Sequence, residues 1–191
     1  MNRNACLATR ETVAKAVRER QQQQQQQQAV SGAGVGAGAG KTPYLASLLS
    51  DLTAPLRPGS VDVLLFNPPY VPTEELPRLP EEAPHAEGTG TETAGLLSRS
   101  AKFEQDSYFL SLTYAGGMDG METTQRLLEA IPGILHPTRG VAYVLLCKQN
   151  RPEEVKEGIR AWGGGWRAET VGNSGVQAGW EKLVIVRIWR C

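Results

Sequence analysis

The sequence predicts an α/β protein whose sheet is parallel or mostly parallel and is covered by helices. Strand-like apolar runs alternate with helical segments from residue 42 to residue 163, and this alternation is typical of that fold class. Two runs, "VDVLLF" and "GVAYVLLC", are almost wholly apolar, as expected of strands that are buried on both faces of a sheet. The 191 residues are enough for one domain with a hydrophobic core of its own.

The individual elements follow from local composition and periodicity. Strong helix formers around an imperfect apolar stripe predict a helix at residues 4–19. Residues 42–52 are strand-like or mixed in character, and residues 61–66 predict a buried strand. The same reasoning predicts helices at 121–137 and 151–163 and strands at 140–150 and 181–189. We expect these last two strands to pair antiparallel through the glycine-rich connection at 163–179.

Two segments lack the apolar residues that a core requires. Residues 20–41 contain eight consecutive glutamines and then a Gly/Ala tract, which predicts a disordered linker. Residues 73–105 are rich in Pro, Glu, Gly, Ser and Thr, and they predict a surface insertion that is at least partly disordered. The predicted organisation is therefore a helix at 1–19, the linker, and a main domain at 42–191 that contains the insertion.

Charge and composition argue against several classes of function. Lys plus Arg equals Asp plus Glu, 20 against 20, so no net field favours nucleic acid or an anionic membrane. The apolar runs are too short to span a bilayer, and we expect no secretory leader. Cys6, Cys147 and Cys191 lie far apart, which argues against a zinc site or a disulfide scaffold and suits a reducing compartment. We expect a soluble protein of the cytoplasm, with the nucleus as a second compartment.

Three other features suggest sites but are better explained without one. "GAGAGKT" at 36–42 fails the phosphate-loop spacing, which would place glycine where Val35 stands, and no strand precedes it. His85 and His136 have no neighbours at ligand spacing, so we predict no metal site. "AGGMDG" at 115–120 is interpreted as a turn before a helix.

The stretch "NPPY" at residues 67–70 is the candidate catalytic site. It follows the predicted strand at 61–66, so it lies at the carboxyl end of that strand, where open α/β sheets bind their ligands. Two consecutive prolines cannot continue a strand ladder, because neither has an N–H group to donate. The alternative interpretation is a proline-rich turn that only ends a strand.

The four residue types suit the alkylation of an amide or exocyclic amine nitrogen. Such a nitrogen is a poor nucleophile, since its lone pair is delocalised, and an enzyme must hold it in line with the electrophile while accepting hydrogen bonds from its hydrogens. Asn67 can supply a side-chain oxygen and Pro68 a carbonyl oxygen for that purpose. Pro69 stiffens the backbone that carries these acceptors. Tyr70 offers a flat face for a planar amide or base.

A wider set of segments resembles one known family. "VDVLLFNPPYVPT", the upstream "SDL", and the downstream "YAGGMDGMETTQRLLEAIPGILHPTRGVAYVLL" and "NRPEEV" together resemble the eukaryotic HemK-type class I methyltransferases. The resemblance covers residues 43–72 and 108–189 well and residues 2–18 weakly. It implies a Rossmann-like sheet and S-adenosylmethionine as the methyl donor. The implied substrate is the glutamine side chain of the Gly-Gly-Gln motif in the eukaryotic class I translation release factor.

The resemblance also implies residue roles and a partner. Asn67, Pro68, Pro69 and Tyr70 would bind the target glutamine amide. Asp51 would contact the adenine of the cofactor together with Leu52, and Asn67 would also lie at the methyl-transfer end. The family's catalytic subunit forms a heterodimer with a small zinc-binding activator protein that covers an apolar sheet edge.

One part of the family pattern has no counterpart in this chain. The family begins with a strand, a Glu-x-Gly-x-Gly-x-Gly loop for the methionine part of the cofactor, and a second strand that ends in an acidic residue for the ribose. The resemblance therefore predicts a sheet that is N-terminally truncated, without its first strands and glycine-rich loop, and little cofactor binding by the chain as given. Two alternatives stay open. One is a nucleic-acid amine methyltransferase of the adenine N6 type, against which the zero net charge counts. The other is a non-catalytic remnant that still binds the activator subunit.

Overall fold

The computed structural model describes residues 3–31, 44–78, 99–175 and 182–191. The chain divides into two compact units, Met1–Pro55 and Leu56–Cys191. The described residues of the first unit include one helix, and those of the second include the sheet and the NPPY motif.

Helix α1 occupies Arg3–Ser31 and is therefore longer than the sequence predicted. The predicted end at residue 19 is wrong, since the helix continues through the glutamines that we had assigned to a disordered linker. Glutamine is a good helix former, and no glycine or proline interrupts the chain before residue 32. The rest of the predicted linker lies outside the described residues. In the part of the chain that the structure describes, no helix is both long and apolar enough to cross a bilayer.

In the predicted strand-like or mixed segment at 42–52, residues 44–52, which the structure describes, form no strand. From residue 44 to residue 49 the chain has no regular structure, and a series of turns follows up to Pro55. Leu45 is 88% exposed and Leu48 is 60% exposed, so their side chains are not buried in a sheet. A strand is held by a neighbouring ladder, and no strand pairs with this segment among the described residues.

The second unit contains a four-stranded sheet. In chain order the strands are β1 (Val63–Phe66), β2 (Val141–Cys147), β3 (Trp166–Asn173) and β4 (Leu183–Arg190). Their order in the sheet is β1-β2-β4-β3. β1 pairs parallel with β2, whereas β4 pairs antiparallel with both β2 and β3. The predicted α/β class is confirmed, with a partial sheet among the described residues, and so is the antiparallel pairing of β2 with β4.

Three of the four described strands, β1, β2 and β3, run in the same direction and β4 runs opposite to them, so the predicted mostly parallel strand direction is found among the described strands. One detail of the predicted sheet is wrong. The segment predicted as a glycine-rich connection contains β3, which occupies an edge of the sheet. Most of its side chains are exposed, so its sequence lacks the continuous apolar run of a buried strand.

The described residues of the second unit form three α-helices: α2 (Arg99–Tyr114), α3 (Glu122–Ile134) and α4 (Pro152–Arg160). α3 and α4 confirm two predicted helices. α2 begins inside the predicted disordered insertion, so residues 99–105 are helical, and residues 79–98 of that insertion lie outside the described residues. The sequence of α2 contains no glycine or proline, which allows the helix to form.

The core lies between the sheet and the helices α3 and α4. α3 buries an apolar stripe at helical spacing that includes Leu127, Leu128 and Ile131. These residues and Ile159 of α4 belong to the buried interior, which the sheet completes with Ala142, Val144, Leu146, Ala168, Val186 and Ile188. Burying a large aliphatic side chain contributes about 1.5–3 kcal/mol. This packing holds β2 and its parallel neighbour β1 in place, and β1 leads directly into the NPPY motif.

Candidate methyl-acceptor site

Strand β1 delivers the NPPY motif to the carboxyl edge of the sheet. β1 ends one residue before the motif, as predicted, because Pro68 and Pro69 have no N–H group for a ladder. Pro68 is buried, Pro69 and Tyr70 are half-buried, and Asn67 is exposed. The prolines thus anchor the motif in the protein, while the side chain of Asn67 stays accessible to a substrate.

The backbone after the motif is tied to the turn that follows α2. The Val71 N–H donates to the last carbonyl of α2 at 2.9 Å, and the Gly116 N–H donates to the Val71 carbonyl at 2.8 Å. The Thr73 N–H donates to the Gly117 carbonyl at 3.0 Å, and the Gly117 N–H donates to Thr73 Oγ1 at 3.0 Å. The interpretation of "AGGMDG" as a turn before a helix is confirmed. Beyond that prediction, the turn lies directly beside the motif.

Asn150 connects the motif to two other segments, and sequence reasoning assigned it no role. Its side chain is only 1% exposed and follows the end of β2. Nδ2 donates to the Tyr70 carbonyl at 3.0 Å and to the Asp119 carbonyl at 2.9 Å, with the Gly120 carbonyl at 3.4 Å. Oδ1 accepts from the Cys147 N–H at 2.8 Å. The buried amide is therefore fully used in joining the motif, the turn and the sheet.

Two glycines allow the turn to approach the motif this closely. A Cβ on Gly116 would collide with the Pro69 carbonyl oxygen. A Cβ on Gly120 would collide with the Tyr70 carbonyl oxygen, and the φ of +69° at Gly120 is one that other residues rarely adopt. Gly116 and Gly120 are thus required by the close approach of the turn to the backbone of the motif.

A cavity of about 650 Å³ lies between α3, α4 and the turn. Its apolar lining includes Met118, Met121, Leu128, Val155, Ile159 and Trp162. Asn150 and Asp119 line the cavity, whereas the four residues of the NPPY motif do not. At its rim Arg151 pairs with Asp119 at 3.3 Å and with Glu154 at 3.6 Å, in exposed ion pairs that contribute little to stability. The chemistry predicted from the motif therefore lies beside this cavity and not inside it.

The six predicted site residues fall into two groups. Asn67, Pro68, Pro69 and Tyr70 form one continuous stretch at the end of β1. Asp51 and Leu52 belong to the first unit, in the turns before Pro55. Asp51 is exposed, and Leu52 is half-buried with a φ of +46°. The adenine contact assigned to this pair stays a prediction.

The described residues offer no metal site. No group of three or more His, Cys, Asp or Glu side chains in the described segments could hold an ion. His136 faces Thr138, whose N–H lies 3.3 Å from its Nδ1, and His85 lies outside the described residues. Cys6, Cys147 and Cys191 are all free thiols, as their spacing predicted.

The site fits the acceptor half of a methyl transfer better than the cofactor half. A backbone cradle for the amino-acid part of S-adenosylmethionine requires glycines with open space above them. Beside the motif, the space above Gly116 and Gly120 is filled by backbone, and the space above Gly117 is filled by the carboxylate of Glu122. These glycines therefore serve packing within the protein. The described residues near the motif do not form the cradle for that part of the cofactor.

Comparison with known proteins identifies relatives of one kind. A mouse (Mus musculus) protein named methyltransferase HEMK2 is 31% identical over 149 residues, which are 75% of this chain and 54% of that protein. The eRF1 methyltransferase catalytic subunit mtq2 of Schizosaccharomyces pombe is 35% identical over 132 residues, 69% of this chain and 44% of that protein. A release factor glutamine methyltransferase of Moorella thermoacetica is 32% identical over 116 residues, 61% of this chain and 32% of that protein.

The structural comparison finds the E. cuniculi Mtq2-Trm112 complex, described as responsible for methylation of the eRF1 translation termination factor. The TM-score is 0.46 at 22% identity, with 75% of this chain and 60% of that chain covered. No protein-family model matches the chain. The chain spans about half the length of the curated relatives from mouse and S. pombe. The resemblance seen in the sequence is confirmed: the chain is a homologue of the HemK-type protein glutamine methyltransferases.

Proposed function

We propose that the domain to which this chain belongs transfers a methyl group from S-adenosylmethionine to the side-chain amide of a glutamine in a translation release factor. The observation that carries this proposal is the placement of Asn67. Its accessible amide stands at the carboxyl end of β1, on a backbone that the prolines and Asn150 hold in place. The names of the relatives from S. pombe and M. thermoacetica support the choice of substrate.

The acceptor chemistry follows from two oxygens near the end of β1. Asn67 Oδ1 and the Pro68 carbonyl would accept the two N–H groups of the glutamine amide, which fixes the nitrogen and turns its developing lone pair towards the methyl group. This arrangement requires no strong base, because its benefit comes from acceptors that are oriented before the substrate arrives. S-adenosylmethionine, when bound, supplies an electrophilic methyl group on a positively charged sulfur.

Pro69 and Tyr70 support those acceptors. Pro69 restricts the backbone that carries the Pro68 carbonyl, so less order has to be imposed when the substrate binds. Tyr70 is half-buried and its carbonyl is held by Asn150, while its ring offers a flat face for the planar amide. Asp51 and Leu52 are proposed to contact the adenine of the cofactor.

A second subunit is part of the proposal. The S. pombe relative is named a catalytic subunit, which implies a partner in that protein. We propose a small zinc-binding activator as the partner of this chain. β1 supports this idea, because Val63 is 59% exposed and Leu65 is 74% exposed on a strand whose other edge pairs with nothing in the described segments. The free thiols agree with the proposed cytoplasmic location, with the nucleus as a second compartment.

The test is methyl transfer by protein expressed from the complete coding region, with and without the small activator. Purified release factor and total RNA and DNA are offered with isotopically labelled S-adenosylmethionine. We expect one labelled methyl group on a glutamine-containing peptide of the release factor. Label in nucleic acid alone would replace the proposal with an adenine-type amine methyltransferase. The absence of label from every acceptor in the presence of the activator would indicate a non-catalytic protein.

A further inference from the structure

The Tyr70 carbonyl is a junction of three segments that are distant in sequence. Asn150, which follows β2, donates to it at 3.0 Å, and the thiol of Cys147 at the end of β2 lies 3.7 Å away. The same Asn150 amide donates to Asp119 in the turn. Gly120 lies so close to the Tyr70 carbonyl oxygen that a side chain at position 120 would collide with this oxygen.

These contacts oppose a specific weakness of the motif. Two consecutive prolines remove two N–H groups, so no ladder can hold the backbone between β1 and Tyr70. After the prolines, the Val71 N–H holds the backbone by donating to the end of α2. The Tyr70 carbonyl, one residue earlier, is the point at which a side chain can fix the motif.

We propose that Asn150 is a positioning residue for methyl acceptance, which holds the NPPY backbone so that the Asn67 and Pro68 oxygens stay aimed at the substrate amide. This inference rests on the proposed function for its catalytic consequence. Its structural content is independent of that function, because it concerns how firmly the segment after β1 is held. Asn150 touches neither substrate nor cofactor in this role and acts through Tyr70.

The test is amide hydrogen exchange on the full 191-residue chain with Asn150→Asp. This change keeps the oxygen that accepts from Cys147, but it replaces the donor facing Tyr70 and Asp119 with a second acceptor. We expect exchange at Val71 and Thr73 to become about ten- to a hundred-fold faster, as for loss of a buried hydrogen bond. Amides in the centre of the β2–β4 pair should keep their protection.

Two further variants make the measurement decisive. Asn173→Asp is the matched control, because Asn173 is exposed and, among the described residues, its side chain uses only the oxygen, which accepts from the Gly175 N–H at 2.8 Å. It should leave exchange unchanged. Asn150→Ala removes the donor without burying a charge and should also loosen the motif locally. Unchanged exchange at Val71 and Thr73 in both Asn150 variants would overturn the proposal. Loss of protection throughout β2 and β4 in both would overturn it too, since Asn150 would then stabilise the whole domain.

A kinetic measurement on protein from the complete coding region separates the inference from the proposed function. With Asn150→Ala we expect kcat to fall about ten- to a hundred-fold and KM for the release factor to rise, while KM for S-adenosylmethionine stays constant. If Asn150→Ala only reduced the number of folded molecules, the apparent kcat would fall and both KM values would stay unchanged. That result would count against a positioning role for Asn150. If the unaltered protein transfers no methyl group, the proposed function fails, and the exchange experiment still decides whether Asn150 holds the motif.

Discussion

Asn67→Ala is the change that separates catalysis from stability at this site. Asn67 is exposed, and no hydrogen bond to its side chain occurs within the described part of the chain. Its truncation should therefore alter the free energy of unfolding by no more than about 0.5 kcal/mol. The rate should respond far more strongly. Loss of one preorganised transition-state hydrogen bond costs a factor on the order of 10²–10³, equivalent to about 2.7–4 kcal/mol of barrier.

The assay compares initial rates of methyl transfer to the release factor at saturating cofactor, with thermal midpoints recorded on the same samples. Asn67→Asp is the informative partner variant, because it keeps an oxygen acceptor at the same position and should retain more activity than Asn67→Ala. Asn173→Ala, on the exposed edge strand β3, is the control for an asparagine away from the motif. Equal turnover by the unaltered protein and Asn67→Ala would refute the acceptor role. A large fall in the thermal midpoint of Asn67→Ala would show that the residue is structural.

Four further outcomes are expected. Gly120→Ala should lower the thermal midpoint, since the positive φ costs about 1–2 kcal/mol even before the added Cβ displaces the Tyr70 carbonyl. Gly133→Ala should raise the thermal midpoint and stabilise the protein by about 0.5–1 kcal/mol, because this helical glycine has open space around it. An equal change of the thermal midpoint in the two variants would contradict the close packing at Gly120. Ile131→Ala should cost about 2–5 kcal/mol in chemical denaturation, as its side chain is fully buried, and a loss below one kilocalorie would show that the core tolerates the cavity. Calorimetric titration of the 191-residue chain with S-adenosylmethionine should give no micromolar binding, and a clear micromolar isotherm would show that residues outside the motif complete a cofactor site.

The elements that could be predicted from the sequence are those whose pattern is decided locally. β1, β2 and β4 carry continuous apolar runs, and α3 and α4 carry helical stripes, so local composition indicates them. The burial predicted for β1 is wrong, because Val63 and Leu65 are exposed on a strand with only one neighbour among the described strands. β3 could not be found this way, because an edge strand with exposed polar side chains resembles a connection. The extension of α1 through the glutamines was missed for a different reason. Low complexity was interpreted as disorder, although glutamine itself favours a helix.

The candidate site was also predicted only where its residues form a local pattern. The NPPY motif was visible because its chemistry lies in four consecutive residues. Asn150 was not, since its hydrogen-bond partner Tyr70 is 80 residues away in the chain and Asp119 is 31 residues away. An available signal was a polar residue in the short connection between a buried strand and a proline-started helix, a position from which a side chain can reach the carboxyl edge of the sheet. The three glycines in "AGGMDG" gave a second signal that suggested only a turn.

The prolines that make the motif rigid also make it dependent on the rest of the protein. A strand normally positions its last residues through N–H donors on both sides, and Pro68 and Pro69 provide none. What remains on that stretch are carbonyl oxygens, which only donors from other segments can hold. Asn150 provides such a donor, and Gly116 and Gly120 allow the surrounding backbone to come close enough. The Pro68 carbonyl would accept a hydrogen bond from the substrate amide. Two residues later, the Tyr70 carbonyl accepts a hydrogen bond from Asn150, which fixes the motif. A motif of this kind can act only where a distant donor and a glycine-rich turn meet it, which is why four residues alone are weak evidence of function and the surrounding contacts are stronger.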